Sequence, residues 1–294
     1  MFSKFRFSSN FSGVVLVIFV AVSFATNSTL AKIAFDYGAT PLSLLVWRTG
    51  LAAFSVLVIL KVWEVPIVLP SRIRWIGVGM GALMATYSYL VLKAIEHIPV
   101  ALAILTFYLY PILTSLCSSI IGQERLTFRI VVCLVTAFIG LGFALNTGGD
   151  FNSLGIYLAT GAAVVFTILL LVNQHHFGGQ ESRAISLHML SSATLLFVVT
   201  AIIIEELPLP HSLEGVIAYM GSGIFFSFAI IGMFVGLARI GAIRTSLFMN
   251  FEPVSSIALG MILLDQVLGS LQLIGAGVVI ASIVIAEIVK EPKV

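Results

Sequence analysis

The sequence predicts an all-α integral membrane protein: ten transmembrane helices arranged as two inverted five-helix repeats, with both termini cytoplasmic. Three observations lead there. The chain of 294 residues is 60% hydrophobic and 10% charged, with a mean hydropathy of +1.14, which excludes an ordinary soluble globule. Its apolar residues fall into ten runs of helix length. One long stretch, Ala94 to Thr127, recurs as Ala238 to Gly269 with a proline in the middle of each copy, Pro111 and Pro253.

A helix crosses about 30 Å of hydrocarbon in roughly 20 residues at 1.5 Å per residue. Taken in order, the predicted spans are 12–33, 41–62, 73–95, 99–121, 128–146, 153–174, 185–204, 213–236, 242–264 and 268–288. Lys4 and Arg6 ahead of the run Gly13 to Ala21 have the look of a secretory signal. The uncharged sequence continues to Leu30, however, and a matching segment recurs in the second half, so this stretch is expected to remain as the first membrane helix. The connections between spans are short and leave no room for a soluble domain. The second span carries Arg48 at depth, the third Tyr87 and Tyr89, and the fourth Phe107, Tyr108, Tyr110 and Pro111. Cys117 and Cys133 lie inside apolar runs, which fits packing rather than a disulfide, zinc or redox role. The seventh span holds His188, read as a satisfied lone histidine. The ninth holds Asn250, Glu252 and Pro253.

Basic residues set the topology. With a cytoplasmic N-terminus, Lys4, Arg6, Lys61, Arg72, Arg74, Arg125, Arg129, Arg183, Arg239, Arg244, Lys290 and Lys293 all fall inside, while Lys32 and Lys93 fall outside and Arg48 within a span. The scattered charge offers no nucleic-acid surface.

The repeat organises the whole chain. At an offset of 142 residues Gly13 pairs with Gly155, Ala21 with Ala163, Phe24 with Phe166, Ile98 with Ile240, Pro111 with Pro253 and Leu126 with Leu268. The predicted division is therefore 1–148 and 149–294, five spans each. Five is odd, so the halves enter the membrane from opposite faces and are related by a pseudo-two-fold axis in its plane. Such a pair can generate two nearly degenerate states, one open to each side, and alternating access is its natural use.

Certain positions carry a family resemblance. They are Lys32, Pro41 and Arg48 at fixed spacing, Ala94 with Ile98 to Ala101, Leu109-Tyr110-Pro111 and Gly122-Gln123-Glu124-Arg125-Leu126-Thr127. The second half adds Gly241-Ala242-Ile243-Arg244, Phe251-Glu252-Pro253-Val254 and Gln272 with Gly275. Over nearly its whole length the chain resembles the EamA branch of the drug/metabolite transporter superfamily. That resemblance implies ten helices in two repeats and the export or exchange of small metabolites, commonly amino acids. Two departures stand out. Ser23 to Asn27 replaces the family's Trp-Gly pair in the first helix, and Asp265-Gln266 stands where Gly-Glu is usual in the second repeat.

The residues that could carry chemistry are few. Pro111 and Pro253 each remove a helix hydrogen bond and kink or break the helix, either shaping a cavity with freed carbonyls or serving as packing kinks. Glu252 lies ten or more residues from either end of its span, where ionisation costs at least about 2.5 kcal/mol. It must be protonated, paired or hydrated, as a proton or substrate-ammonium site or as a structural partner of Arg48 or Lys32. Arg48 keeps its charge and could receive a substrate carboxylate or pair between helices. Asn27 and Asn250, with Thr26, Ser28 and Thr29 alongside, offer uncharged pocket lining or interhelical hydrogen bonds, and Tyr87, Tyr89, Phe107, Tyr108 and Tyr110 form an apolar wall or simply core. No spacing suits a metal, no cofactor motif or Walker loop is present, and no nucleophile–base pair suggests an enzyme.

The expectation is a monomeric secondary transporter of a bacterial inner membrane, exporting a small metabolite with possible proton coupling through Glu252. An uncoupled facilitator, exchanger or importer, or a non-transporting sensor or assembly protein, are the alternatives.

Overall fold

A computed structural model describes residues 9–98, 100–145, 152–176, 182–204, 207–263 and 269–288, and among these the only regular secondary structure is helical. In chain order the helices are α1 (Ser9–Asp36), α2 (Pro41–Val62), α3 (Ser71–His97), α4 (Val100–Phe107), α5 (Tyr110–Ile120), α6 (Phe128–Ala144), α7 (Ser153–His176), α8 (Ser182–Ile204), α9 (Leu213–Met249), α10 (Phe251–Leu263) and α11 (Ser270–Ile288). Among the described residues seven stretches are long and apolar enough to cross a membrane, and three shorter apolar helices, Phe128–Ala144, Phe251–Ile262 and Ser270–Ala286, accompany them. Lys4, Arg6, Lys290, Lys293, the Asp265-Gln266 pair and the 148/149 junction lie outside the described residues.

Local chemistry explains the helix ends. α1 stops at a turn where Gly38 takes φ 98°, and α2 starts on a capping box: the Ser43 amide donates to the Thr40 hydroxyl and the Thr40 amide to the Ser43 hydroxyl, with Pro41 in the first turn. At the opposite end of the chain's packing partner, Ser212 caps α9 by accepting from the Gly215 amide at 3.0 Å. The same corner is tied together by the Tyr37 hydroxyl, which donates to the Glu214 carboxylate, and that hydrogen bond raises the Tyr37 phenol above its ordinary pKa.

Two predicted spans are organised differently from expectation. The fourth, 99–121, is broken into α4 and α5 at Tyr108 and Leu109. The chain from 213 to 249 is helical on both sides of a kink at Gly241, so the predicted 242–264 span starts after that kink and is itself divided at Asn250 into 242–249 and α10. Proline accounts for the breaks. Pro111 has no amide to donate and is tolerated in a first helical turn, so the preceding helix ends just before it. Pro253 likewise sits in the first turn of α10, after a break at Asn250. Tyr108 and Asn250, the two break residues, stand 142 positions apart in the chain. Within α9 a single residue, Gly241 (φ 82°, ψ 171°), leaves helical geometry and divides it into arms 213–240 and 242–249.

Packing runs mainly across the midpoint of the chain. α1 packs most extensively on α9 and also on α10, α2 on α8 and α9, α3 on α7 and α8, and α6 on α11. The buried core joins both halves, with Met80, Met84 and Tyr110 beside Leu169, Leu170, Ile185 and Phe226. Phe19, Phe54, Trp75, Tyr157, Ile203 and Ile262 are exposed, as a surface facing lipid requires. Between α6 and α11 backbones meet directly, and a Cβ on Gly275 would lie 2.3 Å from the Ala144 nitrogen and 2.5 Å from the Gly140 carbonyl oxygen. Such close approach through small residues is how membrane helices gain dispersion contact without a hydrophobic driving force.

Gly275→Val should therefore destabilise the folded protein by about 1–3 kcal/mol, the usual cost of overpacking. A Cβ on Gly277 would meet nothing within 4 Å, so Gly277→Ala should leave stability unchanged or raise it by up to ~1 kcal/mol. Thermal melting of the detergent-solubilised variants measures both.

Candidate functional site

The breaks at Tyr108 and Asn250 assemble a chamber in the middle of the bundle. Glu252 is the second residue of α10, so the break gives it a helix N-terminus, where free amides and the helix dipole favour a carboxylate. Two cavities meet at this side chain. One, of about 150 Å³, is lined by α1, α2, α3, α4, α5, α7 and α9 and includes Asn27, Arg48, Tyr87, Tyr110 and Phe166 with Glu252. The other, of about 280 Å³, includes Ser28, Lys32, Tyr108, Pro253 and Ser256 with Glu252. Glu252 and Ser28 line both, so they form the partition between a smaller inner chamber and a larger one that reaches the exposed Lys32.

Arg48 enters the inner chamber from α2. Its guanidinium carbon lies 4.6 Å from the centroid of the Phe226 ring, a cation–π distance, and its buried Nε has no hydrogen-bond partner. Buried polar groups are nearly always satisfied, so an unpartnered guanidinium nitrogen in a cavity marks a place where an acceptor is wanted. Arg48, Tyr87 and Glu252 are close enough to act on one another electrostatically, and the Tyr108 hydroxyl is a hydrogen-bonding neighbour of the Glu252 carboxyl.

An aromatic box closes the chamber. Tyr110 and Phe166 meet edge to face at 4.8 Å, Tyr87 and Phe166 lie 4.9 Å apart, and Phe107 is 5.3 Å from Tyr110 and 5.4 Å from Phe166. Tyr108 continues the wall, 5.6 Å from Tyr110. Such contacts fix ring orientation beyond simple burial. Tyr89 is exposed, with Lys93 over its ring, and stands apart from the box.

The remaining polar residues divide by partner. Asn27, 3% exposed, lines the chamber and accepts from the Ser222 hydroxyl at 2.7 Å, joining α1 to α9. Asn250 turns to its own helix and donates to the carbonyls of Leu247 at 2.9 Å and Ser246 at 3.4 Å. Beside the other break the Tyr110 carbonyl, in the first turn of α5, accepts from the Thr167 hydroxyl at 3.4 Å. Thr26 and Thr29 donate to carbonyls four residues back. His188 is within 3.3 Å of the Ile67 carbonyl oxygen. Cys117 and Cys133 are free thiols.

Phe166, from α7, and Phe226, from α9, complete the chamber and were not among the residues singled out from sequence. Phe166 is the repeat partner of Phe24, also in the lining, so the repeat contained that signal. Phe226 had no such marker in an apolar run rich in phenylalanine.

Comparison with known proteins now adds to this geometry. The EamA-like transporter family model matches residues 11–146 and again residues 153–287. Among curated relatives, the threonine/homoserine exporter RhtA of Escherichia coli (strain K12) is 24% identical over 92% of this chain and 89% of its own. The uncharacterized transporter YyaM of Bacillus subtilis (strain 168) is 26% identical over 95% of each chain. The uncharacterized transporter sll1319 of Synechocystis sp. is 22% identical over 93% of this chain and 92% of its own. A solved crystal structure superposes with a TM-score of 0.77 over 94% of this chain and 97% of that one, at 19% identity, which shows a shared fold. The apolar helices and these bacterial relatives identify an integral, multi-pass membrane protein of the bacterial inner membrane, and the chain belongs to the EamA-like transporter family.

Proposed function

We propose that this protein is a secondary transporter that exports a small zwitterionic metabolite, an amino acid or a close relative, through the chamber at Glu252. Its ten membrane crossings, in this reading, are two inverted five-helix repeats with both termini cytoplasmic, working as a monomer by alternating access. The observation that carries the proposal is the placement of Glu252 between two cavities, with the unpartnered Arg48 Nε in one and Lys32 in the other. A fixed guanidinium can receive the α-carboxylate in a charge-assisted contact. The Glu252 carboxylate, which lines the same cavity, can receive the α-ammonium. The aromatic box around Tyr87, Phe107, Tyr110 and Phe166 then faces the rest of the molecule. The threonine/homoserine exporter among the relatives supports this substrate class.

Glu252 also supplies the means of coupling. A carboxyl that binds either the substrate ammonium or a proton, but not both, exchanges one for the other across the membrane. A second reading, an uncoupled facilitator or exchanger, is favoured by the fixed cation in the same cavity, since Arg48 is a standing counter-charge for Glu252.

Four outcomes are expected. Cells overproducing the protein should release radiolabelled threonine or homoserine faster than control cells, and a non-transporting sensor would release neither faster. Ligand at 100 times its Kd should stabilise the purified protein by about 2.7 kcal/mol, read as a rise in Tm across an amino-acid panel. Glu252→Gln in proteoliposomes should abolish the response of transport to an imposed pH gradient, and a full response retained by the variant would leave the uncoupled reading. Arg48→Lys, which loses the planar fork, should weaken amino-acid binding about tenfold or more, the effect of one charge-assisted hydrogen bond. The corresponding methyl esters should bind the variant as they bind the wild type.

A further inference from the structure

Away from the chamber, the turn that follows α5 meets the reversal in α9. At Gly241 the chain leaves helical geometry, and the amides of Ala242 and Ile243 open the second arm of α9 without carbonyl partners from a preceding turn. Glu124 Oε1 accepts from both, at 2.6 Å and 3.3 Å, and from Gln174 Nε2 at 2.7 Å. Gln174 Oε1 accepts from the Ala242 amide at 3.0 Å. The turn is itself anchored: the Gln123 and Glu124 amides donate to the Ser118 carbonyl, and Gln123 Nε2 donates to the Leu171 carbonyl at 3.4 Å. One carboxylate from the first half of the chain thereby pins α7 and α9 of the second. Glycine is required at 241 twice over, because φ 82° is a left-handed conformation and a Cβ would come within 2.7 Å of the Glu124 carboxyl carbon and both its oxygens.

Behind this pin lies an unusual seam. Ser115 and Ser118 on α5 and Thr245 on the second arm of α9 are almost fully buried, at 1%, 0% and 1% exposure, and none of their hydroxyl oxygens has a hydrogen-bond partner. Gln123 Oε1 and Thr127 Oγ1, in and after the turn, are also buried and unpartnered. Other helical hydroxyls, Thr26, Thr49 and Ser55 among them, donate to the carbonyl four residues back, while Ser88 is a lone unpartnered hydroxyl on α3. A dry seam of unsatisfied hydroxyls is costly. The same groups would be satisfied if water entered.

We propose that Glu124 is the latch of the gate on this side of the membrane, and that the Ser115–Ser118–Thr245 seam is the collapsed half of the substrate path, which fills with water when the latch releases. This rests on the alternating-access reading above. Glu124 acts through the helices it positions rather than on the substrate.

Thiol accessibility tests the latch without any substrate. In a Cys117→Ala/Cys133→Ala background carrying Thr245→Cys, a membrane-impermeant maleimide should label slowly from either face. Adding Glu124→Ala should raise labelling about tenfold, the effect of losing a charge-assisted hydrogen bond, and only in vesicles exposing the Glu124 face. Gly241→Ala, which drives a methyl group into the same carboxyl, and the milder Gln174→Leu should each raise labelling from that face. Unchanged labelling in variants that melt like their parent overturns the proposal, and so does an increase of equal size from both faces. Failure of efflux alongside latch-dependent labelling would count against the transport reading and leave the latch standing.

Discussion

A backbone amide or carbonyl released inside a bilayer has no water to turn to, and this constraint governs every irregular feature of the protein. Continuous helices avoid the difficulty by pairing each group internally. This chain breaks its helices at Tyr108, Gly241 and Asn250, and side chains serve backbone groups beside each break. Thr167 covers the Tyr110 carbonyl, Asn250 the end of its own helix, and Glu124 with Gln174 the amides after Gly241. Once covered, a break becomes useful: it provides a helix N-terminus in mid-membrane, and Glu252 stands on one. The chamber is therefore a product of interrupted helices whose ends are secured in part by residues from the other half of the chain, Thr167 and Glu124.

Much of this was legible in the residues themselves. Composition and run length mark the helices because lipid demands long apolar segments. The prolines announced the two breaks because their chemistry is local. Depth alone marked Arg48 and Glu252, since an ionisable group far from both ends of a span needs a reason to be there. What could not be read was the partner of most other polar groups. Glu124 meets Ala242 across 118 positions and Gln174 across 50, and no periodicity encodes such a meeting. Gly241 reads as a loop residue in sequence and is where α9 kinks, but the carboxylate that accepts from the amides after it was hidden.

The way the halves interleave has consequences for motion. The repeat suggests a division at 148/149, but the broad packing surfaces run across it, α1 on α9, α3 on α7 and α6 on α11. Bodies that move against one another would then be mixed assemblies of helices from both halves, and the contacts between them must be few enough to release. The pin at Glu124 has that character: a handful of directional hydrogen bonds to groups that have other partners available in water. The Gly140–Gly275 contact does not, since backbone packed on backbone at that distance neither slides nor reopens cheaply.

The hydrogen bond between Ser222 and Asn27 bears on how the protein is made. Asn27 lies on α1, and Ser222 is synthesised 195 residues after it. During that interval α1 lies in the membrane with a polar amide and no native partner, and α9, the helix it packs against most, does not yet exist. Assembly must therefore wait until most of the chain has been inserted. The first half, taken from the membrane early, would hold helices whose principal neighbours have still to be translated, which ties the quality control of this protein to the completion of its synthesis.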